Sequence, residues 1–301
     1  MKKNTVILCF LMALCLVGQG QKKPADIPVR AGVASVDITP GLPFWLTGYA
    51  ARSQQATGVL HPIWAKALVI EQDADSRIIF VTVDVLGLSH EIVTDVFNAA
   101  HEKYGIRRSQ LLLNSSHTHA GPMIWPCLEV IYDFSAEDQK KIAEYNQELT
   151  RKILAAIDGA MAKLAPAKLS SGHGEADFAI NRRLDINPNG PVDHDVPVLK
   201  VETIGQGMKA ILFGYACHNT TLVNDNLQVS GDYAGFAQKK LETDFPGVTA
   251  LFLMGCAGDQ NPSPRGSVAI AEQHGNALAA AVSKTLKGTM KPVSAPIRTD
   301  Y

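Results

Sequence analysis

Six short apolar runs, at residues 67–71, 78–83, 111–113, 196–202, 210–216 and 249–254, recur along this chain, and each is bounded by turn residues. Runs of that length and setting read as buried strands. Between them lie segments with helical spacing. Val93, Val96, Phe97 and Ala100 follow an i, i+3, i+4, i+7 pattern behind a Ser89 cap, with Gly105 as terminator. Ser135 and Asp138 stand in capping-box spacing ahead of a stripe of Ile142, Tyr145, Leu149, Ile153 and Ala156. Residues 233–244 and 267–286 read as two further helices, and the stretches around 188–191 and 262–264 as loops. Strands alternating with helices predict an α/β architecture, a layered sheet covered by helices, with any site at the strand C-terminal ends.

Four of these runs stop abruptly at clusters of small, polar and ionisable residues. Residues 79–83 lead into Asp84, and 111–113 into Asn114-Ser115-Ser116-His117-Thr118-His119-Ala120-Gly121-Pro122. Residues 211–216 lead into Cys217-His218-Asn219-Thr220-Thr221, and 251–254 into Gly255-Cys256-Ala257-Gly258-Asp259-Gln260-Asn261-Pro262. On one rim, the four clusters would make one site.

In extended backbone, His117 and His119 would point to the same side and could serve one metal, or one metal and one substrate. An isolated pair is equally a turn cap and a surface residue, but His218 at another strand end favours a metal site. Two or three histidines with an oxygen ligand suit Zn²⁺, whose bound water becomes a nucleophile near neutral pH. Asp84, Asp232 and Asp259 are the candidate carboxylates, each also readable as a cap or turn residue; Asp232, just before a helix, is the strongest cap candidate. His61 is held extended by Pro62 and faces either the rim or the packed strand entry. Arg182 and Arg183 follow an apolar segment, where one guanidinium could clamp a carbonyl and the other reads as a surface residue. Asp37 to Gly41 reads as a structural turn.

Other chemistries lose support. The chain has no G-x-S-x-G elbow, no P-loop, no G-x-G-x-x-G fingerprint and no H-E-x-x-H helix. Lys and Arg number 28 against 29 Asp and Glu, so there is no basic field for nucleic acid, which is excluded as a partner. At the N-terminus, Lys2 and Lys3 precede an apolar run at 6–17 and then Gly18-Gln19-Gly20. That run falls short of the roughly 20 residues a bilayer needs, so residues 1–20 read as a secretory signal peptide and 21–301 as one mature unit, secreted or periplasmic. Lipoprotein anchoring at Cys15 is disfavoured by the bulky Leu14 before it. The three cysteines beyond the signal imply no disulfide framework.

Five motifs in order carry a family resemblance: Ala31-Gly32-Val33-Ala34-Ser35-Val36-Asp37-Ile38-Thr39-Pro40, then Ser116 to Pro122, Cys217 to Thr221, Ser230-Gly231-Asp232 and Gly258-Asp259. Together they resemble the N-terminal domain of the neutral/alkaline non-lysosomal ceramidase family. The resemblance implies a zinc-dependent amidase that splits an N-acyl bond, with a small-molecule lipid or acyl-amide as substrate and transient contact with a membrane surface. It implies His117 and His218 as zinc ligands, and His119 and Arg182 at the substrate carbonyl, stabilising the developing oxyanion. Two departures follow. Asn261 stands where the family's Gly-Asp-Val-Ser-Pro motif has its Ser, so with Asp259 it marks a catalytic loop restricted to metal-water chemistry. The family's Glu and Tyr ligands come from beyond residue 301, leaving His61, His119, Asp84 or Asp232 to complete the site. The expectation is therefore a domain lacking the family's C-terminal part. The rival readings are a non-catalytic lipid or partner binder of the same fold and a fragment.

Overall fold

The computed structural model describes residues 28–301, so the expected signal peptide lies outside the described residues. In chain order the elements are β1 (Arg30–Asp37), β2 (Gly58–Val59), β3 (Trp64–Glu71), β4 (Arg77–Val83), α1 (His90–Tyr104), β5 (Leu111–Ser115), α2 (Ala136–Ala162), β6 (Ala165–Glu175), β7 (Ala179–Asn181), β8 (Asp195–Thr203) and β9 (Gly207–Tyr215). There follow β10 (Gln228–Val229), α3 (Asp232–Asp244), β11 (Thr249–Met254), β12 (Gln260–Pro262), α4 (Val268–Lys287) and β13 (Lys291–Val293). All six apolar runs are strands and all four helical segments are helices. Ser89 caps α1 by accepting the Ile92 N–H, and Gly105 ends it at φ 64°. Ser135 caps α2 by accepting the Asp138 N–H, and the stripe from Ile142 to Ala156 is buried.

The main sheet runs β11-β9-β8-β6-β1-β3-β4-β5, with β13 on β6. Its joint is weak: β6 pairs with β1 only at Arg30↔Pro166 and Ala31↔Ala165, then leaves it for β8. The sheet bends there, and its halves face each other across a core that joins Ala31, Leu68 and Ile70 to Val201, Leu212 and Leu251. Helices α1 and α2 pack on the outside of β1, β3 and β4, and α3 and α4 on the outside of β8, β9 and β11. The order of layers is helix, sheet, sheet, helix. Each fully buried Leu, Ile or Phe contributes about 1.5–3 kcal/mol to holding them.

Two polar links fix one half-sheet against the other. Lys66 of β3, 1% exposed, donates to the Ala250 carbonyl of β11 at 2.8 Å and to Glu242 of α3 at 2.6 Å. Asn114 of β5 donates to the Met254 carbonyl of β11 at 3.2 Å and accepts the Met254 N–H at 2.9 Å. The ends of β5 and β11 are thereby placed side by side, although they are opposite edges of the strand order.

Several elements differ from the sequence expectation. The apolar-run reading passes over β1 and the eleven-residue β6, whose Lys, Ser, Gly and His interrupt any apolar run. Asp37 closes β1 and its carboxylate accepts the Thr39 N–H at 2.7 Å, so the expected turn follows a strand. Residues 260–262, expected at the edge of a loop, form β12, which pairs with β7 beside the site.

Candidate metal centre

The segment after β5 is anchored before it turns. The Ser116 N–H donates to the Val83 carbonyl at 2.9 Å and the His117 N–H to the Val85 carbonyl at 3.0 Å. His117 then adopts φ 57°, a left-handed conformation uncommon for any residue but glycine. The two rings meet edge-on at 4.9 Å between centroids because the backbone turns here, and not, as expected from the sequence, because an extended strand points both to one side. His218 arrives from the other half-sheet, past the end of β9, with its N–H on the Gln260 carbonyl at 2.9 Å.

The three imidazoles converge. His117 Nε2 lies 3.2 Å from His218 Nε2 and 3.3 Å from His119 Nε2, and all three ligand atoms lie within 4.8 Å of one another. Every Nδ1 faces a backbone carbonyl: Leu86 at 2.7 Å from His117, Gly48 at 3.0 Å from His119 and Ala257 at 2.6 Å from His218. A carbonyl can only accept, so each Nδ1 carries the proton and each Nε2 presents a lone pair. Three lone pairs then aim at one another with no donor between them, an arrangement that a cation resolves. Backbone carbonyls behind the distal nitrogens are also how proteins orient metal-binding histidines. Zinc–nitrogen bonds of ~2.0–2.1 Å in tetrahedral geometry place ligand atoms about 3.3–3.4 Å apart, and two of these spacings match. Burial first, then the neighbouring imidazoles, pushes His119 down to about 3, and burial likewise lowers His218. Both are therefore ready to bind metal as neutral rings.

A supporting layer holds His119. Gly48 has φ 104°, and a Cβ there would lie 2.5 Å from His119 Nδ1. The Tyr49 ring packs 4.9 Å from the His119 ring, and its hydroxyl donates to the Leu222 carbonyl at 2.8 Å while accepting from Arg265 at 3.1 Å. Arg52 donates to the Thr47 and His119 carbonyls at 3.0 and 3.1 Å. Sequence reasoning missed Gly48, Tyr49, Arg52 and Arg265, because isolated residues in loops carry no periodicity or spacing signal.

The remaining predicted residues are placed as follows. His61 stands outside the three-histidine group: its Nε2 accepts the Gly231 N–H at 2.9 Å, Ser230 Oγ lies at 3.2 Å, and burial lowers its pKa to about 4. Asp232 also stands outside it. Its two carboxylate oxygens accept the Leu222 and Tyr233 N–H groups at 2.8 and 2.6 Å, fixing the start of α3. Asp84 is buried, accepting from the Trp64 N–H and Gln238, and is not a member of the group. Asp259 accepts from Asn181 Nδ2 at 3.1 Å, and its carbonyl accepts the Arg182 N–H at 2.7 Å, so it braces β7. Arg182 is exposed, without a side-chain partner among the described residues, and its charge is near enough to depress His218. Asn261 lies on β12, opposite Ile180, with its Oδ1 buried and unpartnered.

A doubled sheet between helices, with three histidines from both halves converging at its strand C-terminal rim, defines an α/β domain with a candidate metal centre. The chain belongs to the neutral/alkaline non-lysosomal ceramidase family: the model of that family's N-terminal region matches residues 29–296. It is 27% identical over 275 residues to a neutral ceramidase of Pseudomonas aeruginosa, covering 86% of this chain and 40% of that protein. It is 26% identical over 265 residues to neutral ceramidase A of Dictyostelium discoideum, covering 80% and 37%. The crystal structure of the Pseudomonas aeruginosa neutral ceramidase superposes with a TM-score of 0.77 at 23% identity, over 90% of this chain and 46% of that one. A ceramidase complexed with C2 gives 0.79, also at 23% identity and with the same coverage. The chain thus spans less than half the length of these relatives.

Proposed function

We propose that this chain is the metal-binding catalytic part of a secreted, zinc-dependent amide hydrolase that cleaves the N-acyl bond of a ceramide-like lipid. The observation that carries the reading is the convergence of three acceptor nitrogens, each fixed from behind by a carbonyl. His117, His119 and His218 would hold the ion, which when bound supplies a water of lowered pKa and a Lewis acid for the amide carbonyl. Arg182 offers paired donors to the carbonyl oxygen as negative charge develops there. Asp259 keeps Arg182 in reach by bracing its backbone through β7. Asn261, with an unpartnered Oδ1, provides an acceptor for the amide N–H or a substrate hydroxyl.

A lipid substrate is supported by the family's relatives and by exposed apolar side chains in the segments that follow His119 and Arg182 in the chain. Val130 is 88% exposed and Ile186 78%, with Leu128 and Leu184 beside them. Such side chains suit transient contact with a membrane surface, and no described helix is long and apolar enough to cross one. Secretion rests on the N-terminal segment alone. A non-catalytic lipid- or partner-binding role is the second reading, favoured by one observation: among the described residues, the group contains no carboxylate.

Release of fatty acid from a panel of N-acyl lipids tests the proposal. Turnover abolished in His117→Ala and His218→Ala supports it. Saturable lipid binding with no release by the metal-loaded protein selects the binding role.

A further inference from the structure

The loop between β7 and β8 holds the chain's single Asn-Gly pair, Asn189-Gly190. The Gly190 N–H donates to the Asn187 carbonyl at 2.9 Å, closing a turn with Pro188 and Asn189 at its centre. Asn189 is exposed, and its carboxamide has no hydrogen-bond partner among the described residues. Gly190 lies directly against Asn181: a Cβ at Gly190 would stand 2.4 Å from Asn181 Nδ2. That Nδ2 donates to the Pro191 carbonyl at 2.9 Å and to Asp259 at 3.1 Å, while Asn181 Oδ1 accepts the Arg183 N–H at 2.9 Å. Asn181 thus ties the backbone just beyond Asn189 to the segment that carries Arg182.

We propose that Asn189 is a site of spontaneous deamidation, and that its isoaspartyl product releases the segment carrying Arg182. The Gly190 backbone nitrogen loses its proton to solvent and attacks Asn189 Cγ, and the side-chain nitrogen leaves as ammonia with a proton taken from water. Water then opens the cyclic imide at either carbonyl, leaving an aspartyl or an isoaspartyl link. Glycine favours the attack because it sets no Cβ beside the nucleophile. The one hydrogen bond on the Gly190 N–H closes a turn on an exposed loop, where local opening costs little, so it slows ring closure without preventing it. Asn114, which precedes a serine, is the contrast: its carboxamide is held through both atoms by the Met254 backbone and is not free to be attacked. An isoaspartyl link adds one carbon to the backbone, about 1.5 Å. Inserted at residue 189, it shifts Gly190 off Asn181 and draws the Pro191 carbonyl away from Asn181 Nδ2. The reaction rests on this loop alone and is independent of the amide hydrolysis proposed above.

Storage of the purified whole chain at mildly alkaline pH, followed by ion-exchange separation, peptide mapping and isoaspartyl-specific methyl labelling, is the test. The expected result is an acidic form that accumulates with time, faster as the pH rises, with the label at residue 189. Asn189→Gln should remove that form. Amide hydrogen exchange of residues 181–183 should be about tenfold faster in the isolated isoaspartyl form than in the fresh chain, the effect of losing one bracing hydrogen bond. Asn189→Asp, which carries the new charge without the longer backbone, should exchange at the rate of the fresh chain. Three results overturn the proposal: no acidic form from the wild type; an acidic form that persists in Asn189→Gln or maps to another asparagine; and an isoaspartyl form whose residues 181–183 exchange no faster than those of the fresh chain.

Discussion

His117 and His218 lie 101 residues apart in the chain and in different half-sheets, yet their Nε2 atoms are 3.2 Å apart with no proton to share. Each ring is turned to this position by a carbonyl at its Nδ1, from Leu86 and Ala257. The contact depends on the bend of the sheet at β1 and β6 and on the polar links that set one half against the other. The candidate metal centre is therefore a product of the whole fold, and changes distant from it should be felt there.

Gly48 is the most sensitive position around His119. A methyl group at Gly48 would lie 2.5 Å from His119 Nδ1, at a φ of 104° that side chains rarely adopt. Gly48→Ala should lower metal affinity about 10–100-fold, the usual effect of disturbing the groups that orient a ligand. Competitive zinc titration measures this, and unchanged affinity would show that His119 is not a ligand.

Asn114→Leu removes the carboxamide that joins β5 to β11. The Met254 N–H and carbonyl lose their partner, at a cost of about 1–3 kcal/mol. The urea midpoint should fall, and zinc affinity should fall with it, because the ends of the two half-sheets are no longer fixed together.

Gly32→Ala tests the packing of β1 on α2. The added Cβ would lie 2.1 Å from the Ala160 carbonyl oxygen, a backbone atom that cannot swing aside. Overpacking of this kind costs about 1–3 kcal/mol, read as a lowered unfolding midpoint. Gly258→Ala, where nothing lies within 4 Å, should be nearly silent.

Acid should destabilise the chain partly through His61. Burial holds this ring neutral down to about pH 4, whereas in the unfolded chain it takes up a proton near pH 6.5. Its contribution is full above pH 6.5 and is lost as the pH falls from there toward 4, amounting to about 2 kcal/mol between pH 7 and pH 5. Urea unfolding at the two pH values measures the slope. His61→Gln should flatten it by that amount, while His119 and His218, also depressed, contribute equally to both proteins.

The local code of the helices and buried strands was legible because apolar period and caps are local: Ser89, Gly105 and Ser135 act where spacing puts them. His117 and His218 could be read for the same reason, since each follows an apolar strand directly. The doubling of the sheet was not legible, since it depends on β6, where Gly172 and Gly174 interrupt the apolar pattern. Nor was the partner set of the carboxylates. Asp232 and His61 have metal-ligand chemistry by type, and only the fold shows that backbone N–H groups occupy them.

Elemental analysis of the purified chain, alongside His117→Ala, His119→Ala and His218→Ala, tests the central claim most directly. About one zinc per folded chain, lost in all three variants, is the predicted result. A folded wild-type chain that takes up no zinc when it is supplied, or variants that keep it, would contradict the account of three histidines arranged around one ion.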